Sequence, residues 1–229
     1  MLERKKKITK KQIKEDKLVT VYYEVQKFVS EFQTRILIGV AVVALVTVAV
    51  ILYGNKTTND NKKAAGLLAK VIPLYEATSF KDAIEGQPSS GAIGLKSIVD
   101  QYGNTENGET AKIYLGNSYL MIGNFDEAYK CFDAYSGKNR LFKATALAAK
   151  AGILENRNDM EKAADLYKDA AMITKNDPAN AEYLLRAGII MLKSGRKDEA
   201  KSLFGIIKKD YKTSAAFSEA DKYLIQIES

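Results

Sequence analysis

The most continuous apolar run in the chain is ILIGVAVVALVTVAVILY, Ile36 to Tyr53, which contains no charged residue. As a helix it would extend about 27 Å, close to the hydrocarbon thickness of a bilayer at about 30 Å, so it predicts a single membrane span. On either side of it the apolar positions recur with helical period. Upstream, Leu18, Val21, Tyr22, Val25, Phe28, Val29 and Phe32 fall three and four residues apart, and Thr9 with Gln12 forms a capping box that starts an amphipathic helix. Downstream, residues 54–229 read as a succession of short amphipathic helices with Gly- and Asn-containing turns. No strand pattern is visible, so the expected class is all-α.

The downstream helices are metered. Leu115, Gly116, Tyr119, Gly123, Ala128 and Phe132 in YLGNSYLMIGNFDEAYKCF are followed by Ala151, Leu154, Asn158, Ala163 and Tyr167, then by Ala187, Gly188, Met191, Gly195, Ala200 and Phe204. Small residues at Ala128, Ala163 and Ala200 let two helices cross closely, with an aromatic ring four residues on to fill the space beside them. This pattern is that of the tetratricopeptide repeat, a helix pair of about 34 residues. The spacing predicts repeats at about 109–140, 144–177 and 181–212, with a closing helix at 214–228 that carries Phe217, Ala220, Leu224 and Ile227 on one stripe. A degenerate repeat is expected at about 61–103. Its first helix would run from Asn61 to Phe80 with a kink at Pro73, and its second would place Gly91, Leu95 and Ile98 where Ala128, Phe132 and Tyr135 stand in the next unit. The expected fold is one N-terminal transmembrane helix followed by a tetratricopeptide-repeat solenoid, its repeat portion monomeric.

Charge sets the topology. The chain carries a net +7, of which +5 lies in residues 1–35. Basic residues are retained on the cytoplasmic side of a span, so the arm at 1–35 is expected inside and residues 54–229 outside, in the periplasm of a bacterial cell. A cleaved signal peptide would have a far shorter basic region, which favours an uncleaved anchor. The arm itself admits two readings. It either lies on the inner leaflet with its lysines at lipid phosphates, or docks another membrane protein.

Chemistry is sparse. There is no His and no Trp, and Cys131 is the one cysteine, so His-dependent triads, Cys clusters for zinc and internal disulfides are excluded. Cys131 is expected to pack between helices without a catalytic role. Carboxylate pairs such as Asp159 with Glu161 and Asp198 with Glu199 stand at helix starts, where they complement the helix dipole. No Gly-rich phosphate loop occurs. The expectation is a protein that is not an enzyme, takes no cofactor or metal, and does not bind nucleic acid.

A basic arm, one span and a body that runs through SFKDAIEGQ and YGNTENGETAKIYLGNSYLMIGNFDEA together resemble the YfgM-like family of bacterial inner-membrane-anchored tetratricopeptide proteins. That resemblance implies a periplasmic domain that associates with the Sec translocon and with periplasmic chaperones. A structural or assembly scaffold of another envelope complex shares the same layout and stays open.

Stacked helix pairs curve, with first helices lining the inner surface. Aligning the repeats assigns Ile113, Asn117, Leu120 and Met121 to that groove from one unit. Thr145, Gly152, Glu155 and Asn156 come from the next, and Glu182, Leu185, Ile189 and Lys193 from the third. The predicted partner-binding residues are Ile113, Asn117, Leu120, Met121, Glu155, Asn156, Leu185 and Ile189. A clamp for a chain-terminal carboxylate is disfavoured. Only Asn117 and Arg186 match its cationic and amide positions, and Glu182 would repel the anion.

Overall fold

A computed structural model describes residues 10–175 and 177–228. Thr9, and with it the proposed capping box, lies outside the described residues. The chain divides after Lys56 into two units.

The first unit is the N-terminal part of α1, a helix running Lys10–Glu76. From Lys17 to Tyr53 its side chains are exposed except for half-buried Phe32, with Leu18 at 70% and Leu45 at 70%. One helix in the described chain is long and apolar enough to cross a membrane.

The second unit is an all-α tetratricopeptide-repeat solenoid. It contains the last turns of α1, then α2 (Phe80–Glu85), α3 (Leu95–Tyr102), α4 (Glu106–Met121), α5 (Phe125–Asp133), α6 (Arg140–Asn156), α7 (Met160–Ile173), α8 (Ala179–Lys193), α9 (Lys197–Asp210) and α10 (Ala215–Glu228). Side-chain caps begin several of these helices. Thr105 accepts from Gly108 N–H, Asn124 from Glu127 N–H, and Asn139 from Leu141 N–H.

Each helix pair turns by the same device. Gly123, Asn158 and Gly195 have φ of 78°, 62° and 80°, the left-handed conformation that ends a helix. Around them the chain repeats one hydrogen-bond pair. Asn124 N–H donates to Tyr119 C=O at 2.8 Å, Asp159 to Leu154 at 2.9 Å and Arg196 to Met191 at 2.8 Å, while Gly123, Asn158 and Gly195 each donate three residues back. Five residues after each turn comes the fully buried alanine: Ala128, Ala163, Ala200.

The same device identifies a fourth repeat, in a register other than the expected one. Thr78 has φ 58°, Ser79 N–H donates to Leu74 C=O at 2.9 Å, and Ala83, five residues on, is 0% exposed. Helix A of this repeat is therefore the end of α1, which passes through Pro73 and stops at Glu76 rather than at Phe80. Helix B begins at Phe80. It is interrupted after Glu85 by a hairpin in which β1 (Gly86–Gln87) pairs antiparallel with β2 (Ala92–Ile93) around a 3₁₀ turn at Pro88–Ser90. The expectation of no strand is corrected to this extent. Gly91, placed on helix B by sequence, sits in the hairpin turn with φ 64°.

Packing follows the meter. Phe132, 2% exposed, lies against Gly116, where an added Cβ would come within 2.8 Å of its ring; Phe204, 0% exposed, lies against Gly188 at 2.5 Å. Two apolar clusters result. One joins Ala64, Leu68 and Val71 of α1 to Ala83, Leu95, Ile98, Tyr119 and Phe132. The other runs from Ala151 and Tyr167 through Leu184, Met191 and Phe204 to Ala216, Ala220 and Ile227 of α10. Lys208 with Asp221 at 2.7 Å and Lys201 with Glu228 at 2.9 Å join α10 to α9 at the exposed edge, where solvent screens them and their contribution is small.

Candidate interaction surface

A cleft lies where α6, the start of α7 and α8 meet. Its volume is about 540 Å³, within the range of roughly 300–1,000 Å³ that holds small ligands or a few side chains. Helical phase decides its lining. Glu182, Leu185, Arg186, Ile189 and Lys193 recur at three and four along α8, and Glu155 and Met160 close the opposite wall. Leu185 and Ile190 form the floor at 8% and 6% exposure, and Met160 stands on the rim at 37%.

A polar cluster spans this wall. Arg186 Nε donates to Glu182 Oε1 at 3.0 Å, and its Nη1 reaches Glu155 Oε2 and Tyr167 Oη, each at 3.4 Å. Tyr167 Oη donates to Glu155 Oε2 at 3.1 Å, and the Arg186 guanidinium lies 5.8 Å from the centre of the Tyr167 ring. Burial raises the Tyr167 phenol above its ordinary pKa against the opposing effect of Arg186. One guanidinium thus links α6, α7 and α8. Both of its acidic neighbours already engage it, which fits poorly with capture of a terminal carboxylate.

Three of the eight residues expected to bind a partner line this cleft together: Glu155, Leu185 and Ile189. The others are elsewhere. Ile113 is 3% exposed and belongs to the core, because α4 is covered by its own repeat and by the one before it. Leu120 leans on the same core and Asn117 is half-buried. Met121 ends α4 at 64% exposure, and Asn156 lines a separate depression of about 220 Å³ with Asn124, Phe125, Asp126 and Arg157. Met160 and Ile190 escaped the sequence alignment of grooves because one starts a second helix and the other reads as a core position.

A second polar feature joins α4 to the α5–α6 connection. Glu109, 8% exposed, accepts from Lys112 Nζ at 2.8 Å, Ser136 N–H at 2.9 Å and Ser136 Oγ at 2.7 Å. Burial would raise its pKa, but the Lys112 and Ser136 hydrogen bonds prevail and hold it below the ordinary carboxylate value. These contacts fix the loop and give both carboxylate oxygens a partner. Cys131 is half-buried beside this core, its thiol pushed up to about 11 by burial and then by Glu127. That is far from the lowered pKa of a reactive cysteine.

The tetratricopeptide-repeat family matches residues 182–214, which cover most of α8 and all of α9. No curated protein matches the chain. The helical fold and the repeat match make the class a tetratricopeptide-repeat protein, an architecture that suits protein partners.

Proposed function

We propose that this protein is a membrane-anchored interaction module that holds segments of other polypeptides near their site of export. The Ile36–Tyr53 run crosses the inner membrane once, the basic arm stays in the cytoplasm, and the repeats work in the periplasm. The observation that carries the reading is the cleft of α6, α7 and α8, in which apolar Met160, Leu185, Ile189 and Ile190 sit beside the Glu155–Arg186–Glu182 cluster. Such a surface accepts an apolar side chain of an extended client while the charged cluster meets its backbone. It lacks a buried aromatic anchor, so affinity should be modest, micromolar or about 8 kcal/mol. The resemblance to YfgM-like proteins supports the translocon as the site of action and exported chains as clients.

A photocrosslinker at Met160, compared with one at Met172 on α7, tests this in growing cells. Met172 is 53% exposed but lines no part of the cleft, so it reports chance encounters. Many exported polypeptides should be captured from Met160 and few from Met172. One fixed partner at Met160 would instead favour the envelope-scaffold reading, and equal yields at both positions would refute the cleft. An extracytoplasmic reporter fused after residue 229 tests the topology independently. It must be active for the proposal to stand.

A further inference from the structure

Between Leu18 and Ile38 the chain contains neither Gly nor Pro, and α1 runs through this stretch as one helix. A helix that lies in the headgroup layer and then turns to cross a bilayer must bend sharply, and sharp bends arise at Pro, at Gly or where a group inserts into the backbone ladder. Neither Pro nor Gly is present here, and α1 stays one helix through Ser30, whose Oγ donates to Lys27 C=O at 2.9 Å. The arm's apolar stripe therefore leaves the membrane surface, and Leu18, Val25 and Phe28, at 70%, 55% and 58% exposure, need another cover.

The stripe keeps a seven-residue period. With Tyr22 at position a, the a positions are Tyr22, Val29, Ile36, Val43 and Val50, and the d positions are Leu18, Val25, Phe32, Gly39 and Val46. In the arm the five from Leu18 to Phe32 are apolar among polar and charged neighbours and set the phase; the Ile36–Tyr53 run, uncharged at every position, is compatible with it. A strict period of seven held along a helix marks a left-handed supercoil, because a straight helix would rotate the stripe by about 20° per heptad. Four of the five a residues are β-branched, the choice that favours two parallel strands. Charge agrees with this phase. Lys17, Glu24 and Glu31 fall at c and Lys27 at f, all facing away from the seam. The flanking e and g positions of the arm hold Val19, Val21, Gln26, Phe28 and Gln33, with Arg35 alone charged where the apolar run begins.

The surface also has the matching socket. A concavity of about 390 Å³ on this helix is lined by Tyr22, Val25, Gln26, Val29, Ser30 and Gln33. Its first four residues are a, d, e and the next a, the four-residue hole that receives a knob from a facing helix.

We infer that α1 pairs with α1 of a second copy as a parallel two-stranded coiled coil from Leu18 to Phe32, continued into the apolar run through Gly39, Val43 and Val46. The occupant is a second copy because the seam is uncharged and self-complementary. The e and g positions, which select a different partner by charge, carry almost none. Gly39 at a d position lets the two backbones approach closely in the apolar run. The inference rests on the proposed span for its parallel orientation, since two chains inserted with the same topology run side by side in one direction.

Cysteine scanning in the full chain tests it. With Cys131→Ser as background, single cysteines at Val25, Val29 and Phe32 are compared with cysteines at Lys27, Glu31 and Thr34, after mild oxidation of membranes from producing cells. The seam positions should give a covalent species of twice 25.3 kDa, several-fold more than the outward positions. Adducts of any other mass would place a different helix on the seam and overturn the inference. So would equal yields at all six positions, or labelling of Val25 and Val29 by a photoreactive lipid headgroup with no dimer. Light scattering of the unmodified chain in detergent gives a second answer free of variants: a dimer is expected, and a monomer overturns the pairing. Alkaline extraction of the same membranes reports on the span alone. Release of a still cross-linked chain would sink the anchor and leave the coiled coil standing.

Discussion

Replacing Gly188 with Ala sets helix propensity against packing, and the structure determines which prevails. A Cβ at Gly188 would stand 2.5 Å from Cε1 and 2.8 Å from Cζ of Phe204, whereas unstrained carbon contacts lie at about 3.5–4.0 Å. Phe204 is 0% exposed and its ring stacks on Tyr223 at 5.3 Å, so it has no free space into which to swing. Overpacking of this kind costs about 1–3 kcal/mol. Gly to Ala inside a helix returns about 1 kcal/mol. The expected net is a loss of up to about 2 kcal/mol. Gly116→Ala should behave alike, because its Cβ would meet the Phe132 ring at 2.8 Å. Gly205 supplies the control. Nothing lies within 4 Å of its Cβ position, so Gly205→Ala keeps the propensity gain of about 1 kcal/mol undiminished.

Thermal unfolding followed by far-ultraviolet circular dichroism reads both signs. For a unit of this size 1 kcal/mol corresponds to about 2–4 °C, so Gly188→Ala should melt a few degrees below the parent and Gly205→Ala a few degrees above. Adding Phe204→Leu to Gly188→Ala should restore part of the loss, because the smaller side chain vacates the contact. Should Gly188→Ala melt as high as Gly205→Ala, the ring does not cover Gly188. The crossing of α8 and α9 would then have to be redrawn.

Three further outcomes follow from named contacts. Asn158→Gly should stabilise by a few tenths to about 1 kcal/mol, because Asn158 holds φ at 62°, and Asn158→Val should destabilise by more; urea unfolding orders the three proteins. Glu109 has a depressed folded pKa, so its contribution is complete above the unfolded carboxylate value and disappears as pH falls through the folded one. Glu109→Gln should therefore unfold more readily at neutral pH and lose less stability on acidification than the parent, as seen in denaturant midpoints across that window. At pH 7 the Cys131 thiol, with a pKa of about 11, should react with a maleimide about two orders of magnitude more slowly in the native chain than in urea; equal rates would contradict its half-buried setting.

The fold was legible because the tetratricopeptide meter is written in residues that act alone. A left-handed turn needs Gly or Asn, a close crossing needs Ala, and the gap beside it needs a ring, so Gly123, Ala128 and Phe132 announce their repeat without reference to any other. The first repeat departs at each sign. Thr78 takes the left-handed position, Val71 stands where Gly116 and Gly188 stand, and a hairpin splits helix B after Glu85. Counting back by a constant period then lands on Gly91 instead of Ala83. Local turn chemistry would have found the register: in Thr78–Ser79–Phe80–Lys81–Asp82–Ala83 the polar Ser79, Phe80, acidic Asp82 and Ala83 stand where Asn124, Phe125, Glu127 and Ala128 stand in the next repeat.

The interaction surface was less legible for a geometric reason. A helix covered on one side shows its buried face as a single stripe of period 3.6, but the first helix of an inner repeat packs against its own partner and against both neighbouring repeats. Its apolar residues then cover most of the circumference, and spacing alone cannot say which of them remain open. Ile113 and Ile189 look alike in sequence, yet Ile113 is 3% exposed in the core and Ile189 lines the cleft. The difference lies in what the adjacent repeat brings to each place. Beside Ile189 the wall is built by Glu155 and Met160, and the Arg186 guanidinium, bound to Glu155 and Glu182, sits in the same cleft. Charge is therefore the better guide to openness in such a helix. A cation shared between carboxylates on successive first helices occupies a place that no apolar neighbour covers, and the residues one turn along from it are the ones exposed to a client.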